Sequence, residues 1–293
     1  MKKSSLSLII IGIIYIGALW LWALPISEMP FGSVDSAGHF VLGDYMGQKG
    51  ESYYNIPHFL RPNYGHHNNN KIWYPPQYHT NEGIFQIFGS QRVVSVYLWV
   101  LISATLVILS TFLLVRKLYG LLPAALSSFL LIFSGRDYMT YIWAQWPQVA
   151  AFGFIPIVIY SYYKYTQTYL EGDEKPIYLI LSALLLALQY FFHPQATGHS
   201  AMAVIIFSIV MVIKYKKIPL NLKTAGISLG LFILIMAPFY SFSLQYIEEN
   251  SVTNERVGNL LSWYPEYQHF SGGVPESYFS YSQMHGLWTL PLL

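Results

Sequence analysis

Asp35 and His39 stand at i and i+4 in the segment Phe31-Gly32-Ser33-Val34-Asp35-Ser36-Ala37-Gly38-His39-Phe40. If Ser33 caps a short helix, the two side chains share one face and can bind one ligand or ion. A carboxylate so placed can act as a general base on a hydroxyl or as an oxygen ligand for Mg²⁺ or Mn²⁺. The plainer alternative is that Asp35 occupies a first helical turn because the dipole favours it there. Ser134-Gly135-Arg136-Asp137-Tyr138 supplies a second carboxylate. Asp137 can pair locally with Arg136 or Arg92. It can also join Asp35 as a catalytic or metal-binding acid, leaving Arg136 to hold a phosphate by bidentate hydrogen bonds.

Imidazoles add to this set. Trp73-Tyr74-Pro75-Pro76-Gln77-Tyr78-His79 sets Tyr74 and His79 around a proline pair that fixes an extended, turn-forming segment. These residues suit substrate contact or a Pro-rich corner docking an interfacial helix, which the pattern Ile84, Phe85, Ile87, Phe88 predicts over 80–92. His193, Gln195 and His199 interrupt an otherwise apolar stretch, where polar groups are costly unless they face a cavity or cap a helix. Trp143, Gln145, Trp146 and Gln148 fit sugar binding or an interfacial aromatic belt. Asn63–Asn70, with His66 and His67, reads as a turn-rich segment; two adjacent His without His-Glu-x-x-His do not make a zinc site. Trp263-Tyr264-Pro265-Glu266-Tyr267 repeats the aromatic–Pro theme without a recognisable motif.

The elements that position these residues follow from composition. Of 293 residues, 54% are hydrophobic and only 10% charged, against about a quarter charged in soluble domains. So few charges cannot coat a water-facing surface, which implies an integral membrane protein. Aromatic content of 17% and a net charge of +2 exclude a disordered chain. The absence of Cys excludes disulfides, thiolate metal sites and a Cys nucleophile. The reading includes no nucleic-acid partner.

Uncharged apolar runs predict an all-α bundle of about seven spans: 6–24, 93–115, 119–133, 149–163, 176–192, 200–213 and 224–240. The first is too long for a signal-peptide h-region, and Ala23-Leu24-Pro25 is a poor cleavage site, so it is expected to stay as an anchor. With the N-terminus cytoplasmic, the inner segments 1–5, 116–118, 164–175 and 214–223 hold ten Lys and Arg in 30 residues. The outer segments 25–92, 134–148, 193–199 and 241–293 hold six in 143. That asymmetry predicts a multi-pass protein with its long loops, 25–92 and 241–293, on the outer face. Long ordered loops tend to be functional. The closing Trp288–Leu293 reads like the approach to a further span, as in a fragment of a longer chain.

Taken together, an anchor span, an outer loop opening with Asp35 and His39, Tyr74-Pro75-Pro76 ahead of the second span, Asp137 in the second outer loop and His193-Pro194 after the fifth resemble the GT-C superfamily. The likeness extends to the 6-pyruvoyl-tetrahydropterin synthase-related and YfhO-like membrane proteins. The resemblance implies a glycosyltransferase that uses a polyprenyl-phosphate-linked sugar. Asp35 is then the base or metal ligand and Asp137 the second-loop acid. Many members show two acids close together in the first loop; here Ser36 and Ala37 follow Asp35, and Asp44 is nearest. The expected activity is sugar transfer to an outer-face acceptor, with Arg136 and either His193 or His199 on the leaving phosphate. The expected partners are a lipid-linked donor and membrane lipid. Transport or lipid flipping, or a non-catalytic assembly role, are the alternatives.

Overall fold

The computed structural model describes residues 3–26, 34–50, 76–89 and 92–249. Among them the chain is helical, with no strand. In order the helices are α1 (Lys3–Trp22), α2 (Val34–Lys49), α3 (Gln77–Phe88), α4 (Arg92–Tyr119), α5 (Leu121–Ile132), α6 (Gly135–Ile142), α7 (Trp146–Phe152), α8 (Ile155–Leu170), α9 (Pro176–Phe192), α10 (Pro194–Tyr215) and α11 (Leu222–Glu249). Three are long and apolar enough to cross a membrane: Ser5–Trp22, Val93–Tyr119 and Pro194–Tyr215. Leu121–Ile132, Pro176–Phe192 and Leu222–Ala237 are apolar but shorter.

Proline and glycine set the boundaries. Pro147, Pro156, Pro176 and Pro194 each stand in the first turn of their helix, where a missing N–H costs nothing. Gly120 (φ +94) turns the chain from α4 into α5, and Gly172 (φ +80) turns it between α8 and α9; both angles strain any residue with a Cβ.

Several expected spans change shape. The expected span 149–163 is split into α7 and α8 around Gly153-Phe154. Its uniform hydrophobicity concealed Pro156, which fits a helix start and not a helix interior. The span expected at 119–133 is a helix of only 12 residues, whereas those expected at 200–213 and 224–240 lie within longer α10 and α11. The segment 25–92, expected as a loop, carries α2 and α3, packed on each other and on α4.

Aromatic side chains tie α1, α5, α6 and α7 together. Trp22 Nε1 donates to Ile132 O at 3.0 Å, Tyr141 OH donates to Trp22 O at 2.8 Å, and Trp146 Nε1 donates to Tyr141 O at 3.0 Å. All three rings are fully buried, so each pairs its polar atom as burial requires. Trp146 therefore belongs to the core and is not free to stack on a sugar.

Candidate functional site

α2 and α3 meet along a glycine seam. A Cβ on Gly43 would lie 2.5 Å from Glu82 Cβ and 2.8 Å from Glu82 Oε2; one on Gly47 would lie 3.0 Å from Gly83 O. Gly43-x-x-x-Gly47 thus opens a groove one helical turn long into which α3 fits, the small-residue spacing that lets two backbones approach closely. The face of α3 turned into this groove is polar. His79, Glu82 and Gln86 are buried, while Ile84, Ile87 and Phe88 are 42%, 66% and 85% exposed. The expected amphipathic helix is present, with its apolar face outward and its polar face in the seam.

Three imidazoles converge where this hairpin meets the bundle. His39 Nδ1 and His79 Nε2 are hydrogen-bonded at 2.7 Å, their rings stacked with centroids 5.0 Å apart. One ring must donate and the other accept, which commits these two nitrogens to each other. His193, between α9 and α10, is close enough to influence His39 electrostatically, and His199 influences His193 in turn. Burial pushes the imidazole of His79 down to about 3. Burial, followed by His79 and His193, lowers His39 well below its ordinary value. His193 is half-buried, and desolvation first and His199 second push its imidazole down to about 3.

Glu82, one turn from His79, is fully buried, and among the described residues neither carboxyl oxygen has a hydrogen-bond partner. Desolvation raises its pKa well above the ordinary carboxylate range, which favours the protonated form. Further along the seam, Gln86 Nε2 donates to Asp44 Oδ1 at 2.7 Å. Sequence reasoning missed Glu82. The available signal was Gly43-x-x-x-Gly47 facing a Glu-Gly pair, 82–83, in a segment read only for its apolar residues.

A cavity of about 300 Å³ lies beside this region, lined by Val107, Arg136, Asp137, Phe152, Ile155, Pro156 and His199. Ser134 caps α6 by accepting from Asp137 N at 3.4 Å, which sets Arg136 and Asp137 in the first turn. Arg136 lies over the Phe152 ring, 5.1 Å from its centroid, and the Phe152 and His199 rings are 6.3 Å apart. A guanidinium, a carboxylate and an imidazole thus share one cavity whose remaining walls are apolar. The break between α7 and α8 makes this possible by bringing Phe152, Ile155 and Pro156 against Val107, near the middle of α4.

The candidate residues fall into two groups. Arg136, Asp137 and His199 come together at the cavity, and His39, His79 and His193 at the α2–α3 joint. Asp35 is the second residue of α2, as the helix reading required, but its side chain lies outside the described residues. Ser33, Tyr74, the 63–70 segment and the Trp263 motif also lie outside them. Among the described residues no three His, Asp or Glu side chains could hold a metal ion, and Asp137 is the cavity's sole carboxylate. These residues do not form the oxygen-rich shell that Mg²⁺ or Mn²⁺ requires.

Comparisons with known protein families, with curated proteins and with solved structures return no match.

Proposed function

We propose that this protein is a membrane glycosyltransferase of the GT-C type, moving a sugar from a polyprenyl-phosphate-linked donor to an acceptor on the outer face of the membrane. The observation that supports this reading is the cavity in which Arg136, Asp137 and His199 meet apolar walls. Such a site matches a ligand that is anionic at one end and hydrocarbon at the other. Arg136 holds the phosphate by charge-assisted hydrogen bonds, and His199 adds a polar contact. The acceptor hydroxyl gives its proton to Asp137 or to Asp35. The acceptor oxygen bonds to the anomeric carbon as the sugar–phosphate bond breaks, and the electron pair leaves on the phosphate. Arg136 stabilises the charge that gathers there, the kind of term that usually dominates catalysis.

The test is sugar transfer by purified protein offered a panel of polyprenyl-phosphate sugars. Arg136→Gln should lower kcat/KM by about 100-fold or more, as loss of one charge-stabilising donor does elsewhere. Asp137→Asn and Asp35→Asn separate the candidate bases. Transfer that survives all three substitutions refutes the roles assigned.

The helix break beside the cavity also favours a second reading, a lipid transporter or flippase, since broken helices commonly line transport sites. That reading predicts that labelled lipid phosphate crosses vesicle leaflets in the absence of any acceptor, with no sugar transferred.

A further inference from the structure

At the opposite end of the bundle, the connections after α8 and after α10 are clasped by one carboxylate. Glu174 accepts from Thr224 Oγ1 at 2.6 Å, Asn221 Nδ2 at 2.8 Å and Tyr165 OH at 3.2 Å. Asn221 N also donates to Tyr165 OH at 2.9 Å. All these donors are neutral. The Thr224 hydroxyl first, then Asn221 and Tyr165, hold Glu174 below its usual range, so the carboxylate is ionised yet committed to partners other than lysine.

The lysines around it are left unbalanced. Segments 164–175 and 214–223 carry Lys164, Lys175, Lys214, Lys216, Lys217 and Lys223 against Glu171, Asp173 and Glu174, a net charge of +3. Asp173 pairs with Lys175 at 3.1 Å, and Glu171 accepts from Gln167 at 3.0 Å. Among the described residues the four lysines of 214–223 make no ion pair. No acid interrupts that ten-residue run. Lys214 and Lys217 lie near the Tyr215 and Tyr169 rings, 5.1 Å and 4.9 Å from the centroids, which orients their stems without neutralising the charge.

Position supplies the remaining argument. α10 is one of the three membrane-length helices and ends at Tyr215, where Lys216 takes a left-handed conformation (φ 53). The cations therefore begin where the apolar helix stops. The same turn exposes Tyr215, Ile218 and Leu222, at 45%, 63% and 82%. Cations and bare hydrocarbon on one clasped turn match a surface that has phosphate above and acyl chains below.

We propose that the 214–223 turn is a docking site for anionic phospholipid headgroups. Its lysines meet the phosphates while Ile218 and Leu222 enter the acyl boundary. The Glu174 clasp holds the turn in place before lipid arrives, so little ordering is required on binding. This inference does not depend on the proposed glycosyl transfer.

The experiment uses the full chain in phosphatidylcholine nanodiscs containing phosphatidylglycerol as a minor component. Native mass spectrometry reads the ratio of the two lipids retained on the protein. Wild type should enrich phosphatidylglycerol, and enrichment should fall by about fivefold for each lysine changed to Gln. The pair Lys216→Gln/Lys217→Gln serves if a variant with Lys214, Lys216, Lys217 and Lys223 all changed to Gln does not fold, and the matching Lys→Arg pair should retain wild-type enrichment. Added salt should weaken the preference, because surface charges are screened beyond about 8 Å at physiological ionic strength. Soluble glycerol phosphate should not displace the lipid, which separates a headgroup held at a surface from a free phosphate. Equal enrichment in wild type and the Gln pair overturns the proposal. So does the absence of enrichment in wild type, or displacement by glycerol phosphate.

Discussion

Glu82 and Glu174 are the same side chain in opposite circumstances. Glu82 is fully buried against Gly43, both oxygens lack a partner among the described residues, and desolvation favours its protonated form. Glu174 lies at the bundle's other end, accepts three hydrogen bonds and stays ionised. The first end gains its fit from close backbone approach and tolerates an unsatisfied acid. The second gains its fit from hydrogen bonds and leaves its lysines available. Polar groups thus serve tight packing and protonation at the α2–α3 seam, and loop clasping at the cationic end.

The largest expected effect tests the packing half of this contrast. Gly43→Ala should destabilise the protein by about 2–3 kcal/mol, because its new Cβ overlaps Glu82 in a filled seam. Gly226→Ala, next to the Glu174 clasp, meets nothing within 4 Å. It should stabilise by about 0.5–1 kcal/mol through helix propensity. Thermal unfolding of both variants in detergent decides the matter, and similar losses at the two sites would break the contrast.

Protonation gives the next effect, and its sign differs between groups. The folded state keeps a proton on Glu82 that the unfolded chain releases above about 4.5, so this group lowers stability as pH rises. His79 acts in the other direction. The unfolded chain binds its proton below 6.5, whereas the folded state binds it only near 3, so stability is lost as pH falls through that window. Above pH 6.5 His79 makes no further contribution, whereas Glu82 goes on lowering stability until its raised folded value is reached. Glu82→Gln should flatten that alkaline decline and leave the acid limb unchanged. An unaltered alkaline limb in the Gln variant would mean that Glu82 is ionised in the fold.

The smallest effect lies at the clasp. Thr224→Val removes the strongest donor to Glu174 and should let the carboxyl drift up toward its ordinary range. Infrared titration of isotope-labelled glutamate would follow it, with little change in the unfolding temperature.

The helical class was legible in the sequence because apolar runs and proline positions are local properties. α9 begins at Pro176 and ends at Phe192, as its apolar run does. The split of 149–163 into α7 and α8 was not legible from hydrophobicity, since burial of α7 makes both sides of the break equally apolar. The pairing of Arg136 with His199 could be anticipated from residue type, while their shared cavity depends on that unread break. Glu82 was hidden for a different reason. Its role comes from glycines about 40 residues away, a relation that no window along the chain displays.

Where α5 lies in a bilayer, its brevity has a consequence for the surrounding lipid. Twelve residues rise about 18 Å, whereas the hydrocarbon layer of a typical bilayer is about 30 Å thick. Leu122, Leu126, Phe129 and Phe133 face outward along this helix. Acyl chains resting on them would have to shorten their reach, pinching the membrane locally. Since α6 begins three residues after α5 ends, that dimple would lower the phosphate layer toward Arg136. Hydrophobic mismatch would then bring the polar end of a long-chain lipid down to the cavity without any helix having to move.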